Sequence, residues 1–76
     1  MNAPFTILYA RYSSIINDEC DSFEDAMSRL NYIEDEGFGC SVAIIDNSTK
    51  SMVHYNEFVG EEDAQKNVDE FLSATE

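Results

Sequence analysis

Seventy-six residues, 43% of them apolar and including five phenylalanines and four tyrosines, are enough for one small folded domain and argue against a disordered chain. Sixteen acids against four Lys and Arg give a formal net charge of −12, which makes direct contact with DNA, RNA or an anionic bilayer unfavourable. No apolar run approaches the ~20 residues that a membrane-spanning helix needs.

Met1-Asn2-Ala3-Pro4 offers neither a basic n-region nor an apolar h-region, so no signal peptide and a cytoplasmic location are expected. In that compartment Cys20 and Cys40 are expected to be free thiols.

In chain order, Phe5 to Tyr12 reads FTILYARY, a β-friendly run with at least one face to cover. Ser13 to Asp21 has a weak pattern and is read as a loop that pins Ile15 and Ile16. A helix is expected over Ser22–Glu36: Ser22 can cap it, Asp25 stands at the capping-box position, and Phe23, Ala26, Met27, Leu30 and Ile33 form a stripe at helical period. Gly37 suits a left-handed C-cap, with Phe38 folding back on the last turn. Glu34-Asp35-Glu36 opposes the helix dipole there, at ~0.3 kcal/mol per exposed charge.

Cys40 to Ile45, CSVAII, is apolar on both faces and reads as a strand covered on both sides or central in its sheet. Asp46-Asn47-Ser48-Thr49-Lys50 is a dense turn signal, and the sequon at Asn47 reads as turn chemistry. Met52 to Phe58 resumes alternation, Gly60 breaks it, and Glu61–Ser73 reads as a second helix with Ala64, Val68, Phe71 and Leu72 on its apolar side.

The expected fold is therefore α+β, a single β-α-β-β-α domain over residues 1–76. It would have a three-stranded antiparallel sheet, the third strand between the first two, and two helices packed on one face. The strand 5–12 would then be an open edge, available with Tyr9 and Tyr12 for a homodimer. The expected core is Phe5, Ile7, Phe23, Met27, Leu30, Ile33, Val42, Ile44, Val53, Tyr55, Val68, Phe71 and Leu72.

Motifs for chemistry are sparse. Cys20, Cys40 and His54 lack zinc-ligand spacing. Asp46, Ser48 and Glu57 fit positions 1, 3 and 12 of a calcium loop, but Lys50 and Ser51 occupy positions 5 and 6, where a ligand and a glycine belong. Cys40 and His54 could face each other across a hairpin, though a buried cysteine is more often a small hydrophobe. Gly37-Phe38-Gly39 ends a helix, whereas phosphates sit at helix starts. No catalytic residue, metal or cofactor is expected, and the protein is read as a non-enzyme.

The charge is the remaining signal. Acids cluster at Asp18, Glu19, Asp21, Glu24 and Asp25, at Glu34, Asp35 and Glu36, and at Glu57, Glu61, Glu62 and Asp63. Such clusters can imitate a run of phosphates and compete for the Lys/Arg surface of a nucleic-acid-binding protein. In size, composition and the two acidic helices SFEDAMSRLNYIEDEG and GEEDAQKNVDEFL, the chain resembles phage-encoded accessory proteins, including DNA-mimic inhibitors of restriction, CRISPR or nucleoid proteins. That resemblance implies a basic protein partner, nucleic-acid-binding or of a defence system, met in the host cytoplasm; it rests on no diagnostic motif, and the three clusters are expected as the binding surface from their charge alone. The alternative is a small structural or regulatory homodimer whose acidity is only solubilising, with a Cys40-dependent enzyme or redox protein behind it.

Overall fold

A computed structural model describes residues 3–74, so Met1 and Asn2 of the N-terminal reading lie outside the described residues. Six elements follow in order: β1 (Phe5–Arg11), β2 (Ser14–Cys20), α1 (Phe23–Asp35), β3 (Cys40–Asp46), β4 (Ser51–Tyr55) and α2 (Glu61–Ala74). One four-stranded sheet runs β2-β1-β3-β4, every neighbouring pair antiparallel. The α+β class holds, but the chain order is β-β-α-β-β-α and the sheet has a fourth strand.

That strand is β2, the segment expected to be a loop. It pairs with β1 along its whole length, from Phe5 with Cys20 to Arg11 with Ser14. Tyr12 and Ser13 connect the two, both at positive φ (51° and 65°), the twist that a two-residue hairpin requires. Two consequences correct the sequence reading. β1 is interior rather than an edge, so it offers no open seam for a homodimer. The strand beside β1 on its other side is β3, not the third of the expected strands, and β4 ends at Tyr55 instead of Phe58.

The helices lie on opposite faces of the sheet, not on one. Adjacent residues of a strand point to opposite faces. Ile7 packs with Cys20, Ala26, Leu30, Ile33 and Ile44 under α1, while Leu8 packs with Val42, Ala43, Ile45, Ala64 and Val68 under α2. Ile7, Leu8, Ile44 and Ile45 are all fully buried. This explains why CSVAII is apolar throughout: β3 is covered on both sides.

Two irregularities set which side chains reach the core. In β3, Leu8 faces Ala43 but Tyr9 faces Ser41, so Val42 is an extra residue that joins Ala43 on the α2 side and leaves Ser41 toward α1. In β4, Ile44 faces His54 but Ile45 faces Met52, so Val53 bulges and is 45% exposed rather than part of the core. Phe23, also expected in the core, is 39% exposed and stands edge-on to Phe5 and His54 at 6.1 and 6.4 Å.

Both ends of α1 are built as the sequence reading expects. The Ser22 hydroxyl accepts from Asp25 N at 3.0 Å. At the other end Phe38 N donates to Ile33 O and Gly37 N to Glu34 O, with Gly37 at φ 71°. Phe38 then rests against Tyr32, ring centroids 5.7 Å apart. Gly39 passes so close to β1 that a Cβ there would collide with the Ala10 carbonyl oxygen.

The 46–50 turn is tied to the N-terminal segment. Asn47 Nδ2 donates to Ala3 O and to Thr6 Oγ1, each at 2.8 Å, and Asn47 N donates to Pro4 O at 2.9 Å. Thr6 is buried, so Asn47 satisfies a hydroxyl that would otherwise lack a partner. The sequon side chain is therefore committed internally.

Candidate functional site

The three acid clusters fall at two poles of the molecule. Asp21, Glu24 and Asp25 gather where β2 hands over to α1, with Glu19 on the neighbouring β2 residue pair. Glu24 and Asp25 occupy the first turn of α1, where negative charge is favoured. Glu34, Asp35 and Glu36 lie at the far end of the same helix, about 16 Å away by helix rise. Asn56 joins that second cluster to the third: its Nδ2 reaches Glu34 Oε2 at 3.2 Å, and Glu57 and then Glu61-Glu62-Asp63 follow directly in the chain. The second pole is thus made from the end of α1, the 56–60 turn and the start of α2.

Two of the twelve expected site residues are committed elsewhere. Asp18 lies on the α1 side of β2, opposite Ile7, where it pairs with Arg29 at 3.6 Å and accepts from the Tyr9 hydroxyl at 3.5 Å. Glu34 accepts from Ser41 Oγ at 2.8 Å as well as from Asn56. Its carboxylate is a structural tie between α1, β3 and the turn after β4. Glu19 is exposed and accepts from Ala3 N at 3.4 Å. The remaining nine, Asp21, Glu24, Asp25, Asp35, Glu36, Glu57, Glu61, Glu62 and Asp63, are exposed.

Sequence reasoning missed Asp69 and Glu70. They lie seven residues after Glu62 and Asp63, hence on the same face of α2, and share a shallow surface with Glu61, Gln65 and Lys66. The heptad spacing was the available signal.

The 56–60 turn presents this pole on a fixed scaffold. Asn56 N donates to Val42 O at 3.0 Å, its Nδ2 reaches Ser41 O at 3.0 Å, and its Oδ1 accepts from Phe58 N at 2.9 Å. Val59 N and Gly60 N both donate to Asn56 O. Phe58 projects fully into solvent from this turn, next to Glu57.

The candidate nucleophile has no base. Cys40 pairs with Ala10 at the start of β3, whereas His54 faces Ile44, four residues further along, roughly 13 Å by strand rise. Cys20 sits opposite Phe5 and Cys40 opposite Ala10, too far apart to bridge. Burial pushes the Cys20 thiol up, and the nearby Asp25, Asp18 and Asp21 add to this against Arg29, so it behaves as a core residue. Asp46 is held below the usual carboxylate range by hydrogen bonds from the Ser48 hydroxyl and backbone, which fix it in the turn rather than toward a cation. Among the described residues no three His, Cys, Asp or Glu side chains converge as a metal would need. No helix of the described chain is long and apolar enough to cross a membrane. Comparison with protein-family models, with curated proteins and with solved structures finds no match.

Proposed function

We propose that the protein is a non-enzymatic acidic binding module that occupies the basic surface of a nucleic-acid-handling partner, in the manner of the phage-encoded DNA-mimic inhibitors it resembles. One observation carries this reading. Among the described residues a single ion pair forms, Asp18 with Arg29, and Lys66 is the one cation on the acid surface of α2, so the outward carboxylates stay largely uncompensated. Nine expected site residues, with Asp69 and Glu70 added, spread this charge over both ends of α1 and one face of α2. A basic partner would find an extended negative surface whose attraction acts before contact and whose strength depends on salt.

The homodimer reading is weakened by the sheet order. The strand expected to form its seam is interior, and the edge that takes its place, β2, carries Asp18 and Glu19, charged residues of the kind that discourage strand pairing.

The test is competition. A partner captured from the native lysate at low salt is expected to be released by duplex DNA and by 1 M salt. Retention in both would overturn the proposal, because mimicry requires that the acid surface and nucleic acid share one site.

A further inference from the structure

The geometry points to a second site, independent of the acid surface: the groove between α1 and the β1–β2 hairpin binds a small carboxylate attached to a planar ring, with Arg11 as its main anion-binding residue. The groove encloses about 270 Å³ and is lined by Tyr9, Arg11, Asp18, Arg29, Tyr32 and Phe38 over Ile33. That volume lies just below the range of about 300–1,000 Å³ for drug-sized ligands and suits a single ring with a carboxylate.

The chain has only two arginines, and both line this one groove. They arrive from different elements. Arg11 shares the α1 side of the sheet with Tyr9, two residues before it on β1, and Arg29 and Tyr32 stand three residues apart on the flank of α1. The Schellman ending of α1 supplies Phe38.

The two guanidinium groups differ in their engagement. Arg29 is partly neutralised by Asp18 at 3.6 Å. The Arg11 guanidinium makes no hydrogen bond or ion pair within the described residues. Instead its guanidinium carbon lies 5.0 Å from the Tyr12 ring centroid and 5.5 Å from that of Phe38. In a chain with four times as many acids as bases, this guanidinium has settled against aromatic rings and not against a carboxylate. Ring contacts restrain the group and leave its N–H edge available for an incoming acceptor.

The ligand class follows from charge and shape. The guanidinium fork matches a carboxylate with two parallel hydrogen bonds. A net charge of −12 penalises multiply charged anions more than a monoanion, which disfavours a phosphate ester. Tyr32, 59% exposed, and Phe38, 39% exposed, provide open ring surface beside the fork for a planar group. Two sources share this chemistry: a free aromatic acid, and a peptide ending in an aromatic residue with its terminal carboxylate.

Amide chemical-shift titration of the full chain tests the site with benzoate, benzamide, and N-acetyl-Gly-Phe as its free acid and as its amide. Benzoate should produce saturable shifts centred on residues 9–11, 32–33 and 38. Benzamide should bind at least tenfold more weakly. Arg11→Gln should weaken benzoate at least tenfold, while Lys50→Gln, on the β3–β4 turn, should leave it unchanged. Binding of the peptide acid but not its amide assigns the chain-end source; benzoate binding without the peptide acid assigns the free acid. The proposal is overturned by an absence of saturable shifts, by benzamide matching benzoate, or by unchanged affinity in Arg11→Gln. The benzoate–benzamide comparison uses the unaltered protein, so it decides the matter even if the variant fails to fold.

Discussion

Glu34 accepts a hydrogen bond from the Ser41 hydroxyl at 2.8 Å, which fastens the last turn of α1 to the first residues of β3. By charge alone Glu34, Asp35 and Glu36 are equivalent, three acids at the wrong end of a helix dipole. The structure separates them. Glu34→Ala should cost about 1 kcal/mol, because Ser41 is buried and loses its acceptor. Asp35→Ala and Glu36→Ala should each raise stability by a few tenths of a kcal/mol. Urea unfolding of the three single variants checks the split, and equal effects at all three would contradict it.

Asn47→Ala should be among the more damaging polar substitutions. It removes the hydrogen bonds to Ala3 O and Thr6 Oγ1 and leaves the Thr6 hydroxyl buried without its partner. The expected loss is about 1–3 kcal/mol by urea unfolding. Asn47→Asp should also destabilise, since a carboxylate cannot donate to the Ala3 carbonyl.

Layering on both faces of the sheet predicts matched penalties for neighbouring residues. Ile7→Ala opens a cavity under α1 and Leu8→Ala one under α2, and each should cost about 2–5 kcal/mol. A sheet covered on one face only would tolerate one of the two. Chemical denaturation of the pair distinguishes the arrangements.

The β1–β2 turn offers a substitution in the stabilising direction. Ser13 sits at φ 65°, a left-handed conformation that glycine adopts without steric cost. Ser13→Gly should stabilise by roughly 0.5–1 kcal/mol, measured as a raised urea midpoint at constant slope.

Stability should decline on the alkaline side through Cys20. Its folded-state pKa is raised, chiefly by burial, so its contribution is fully present below the unfolded value, near 8.5–9, and is lost as pH climbs through the higher folded value. Cys20→Ala should remove that part of the alkaline decline. Asp46 acts at the other end. Its pKa is lowered by Ser48, so its contribution is present above the unfolded value near 3.9 and disappears as pH falls through the lower folded one. Thermal melts across pH for the unaltered chain, Cys20→Ala and Asp46→Asn read both steps.

What could be read in the sequence was what depends on local signals. Ser22, Gly37 and the stripe from Phe23 to Ile33 mark α1 because capping and helical period are written in neighbouring residues. β2 escaped for the same reason in reverse. SIINDEC is a polar edge strand whose Asn, Asp and Glu disfavour sheet, and its hairpin turns on Tyr12-Ser13 where Asn-Gly would have announced it. Missing one strand displaced β1 to an edge and the helices to one face. The bulges at Val42 and Val53 have no sequence marker, and they decided that Ser41 would meet Glu34 and that Val53 would leave the core. The acid clusters were visible as composition. Which of their members carry internal bonds, Asp18 and Glu34, depends on contacts across 7 to 22 residues of chain.

Whether the acid surface is an electrostatic interface is decided by the association rate of the captured partner at several salt concentrations. The unaltered chain is compared with a variant carrying Glu61→Gln, Glu62→Gln and Asp63→Asn. Screening shortens from ~10 Å at 0.1 M to ~3 Å at 1 M. For an electrostatic interface the association rate falls steeply with salt, and the variant shows a slower rate with a shallower salt slope, most of the affinity loss lying in association. An association rate and salt slope identical in the two proteins, with the other clusters behaving alike when neutralised, would rule out an electrostatic interface and leave the acidity as a solubilising surface.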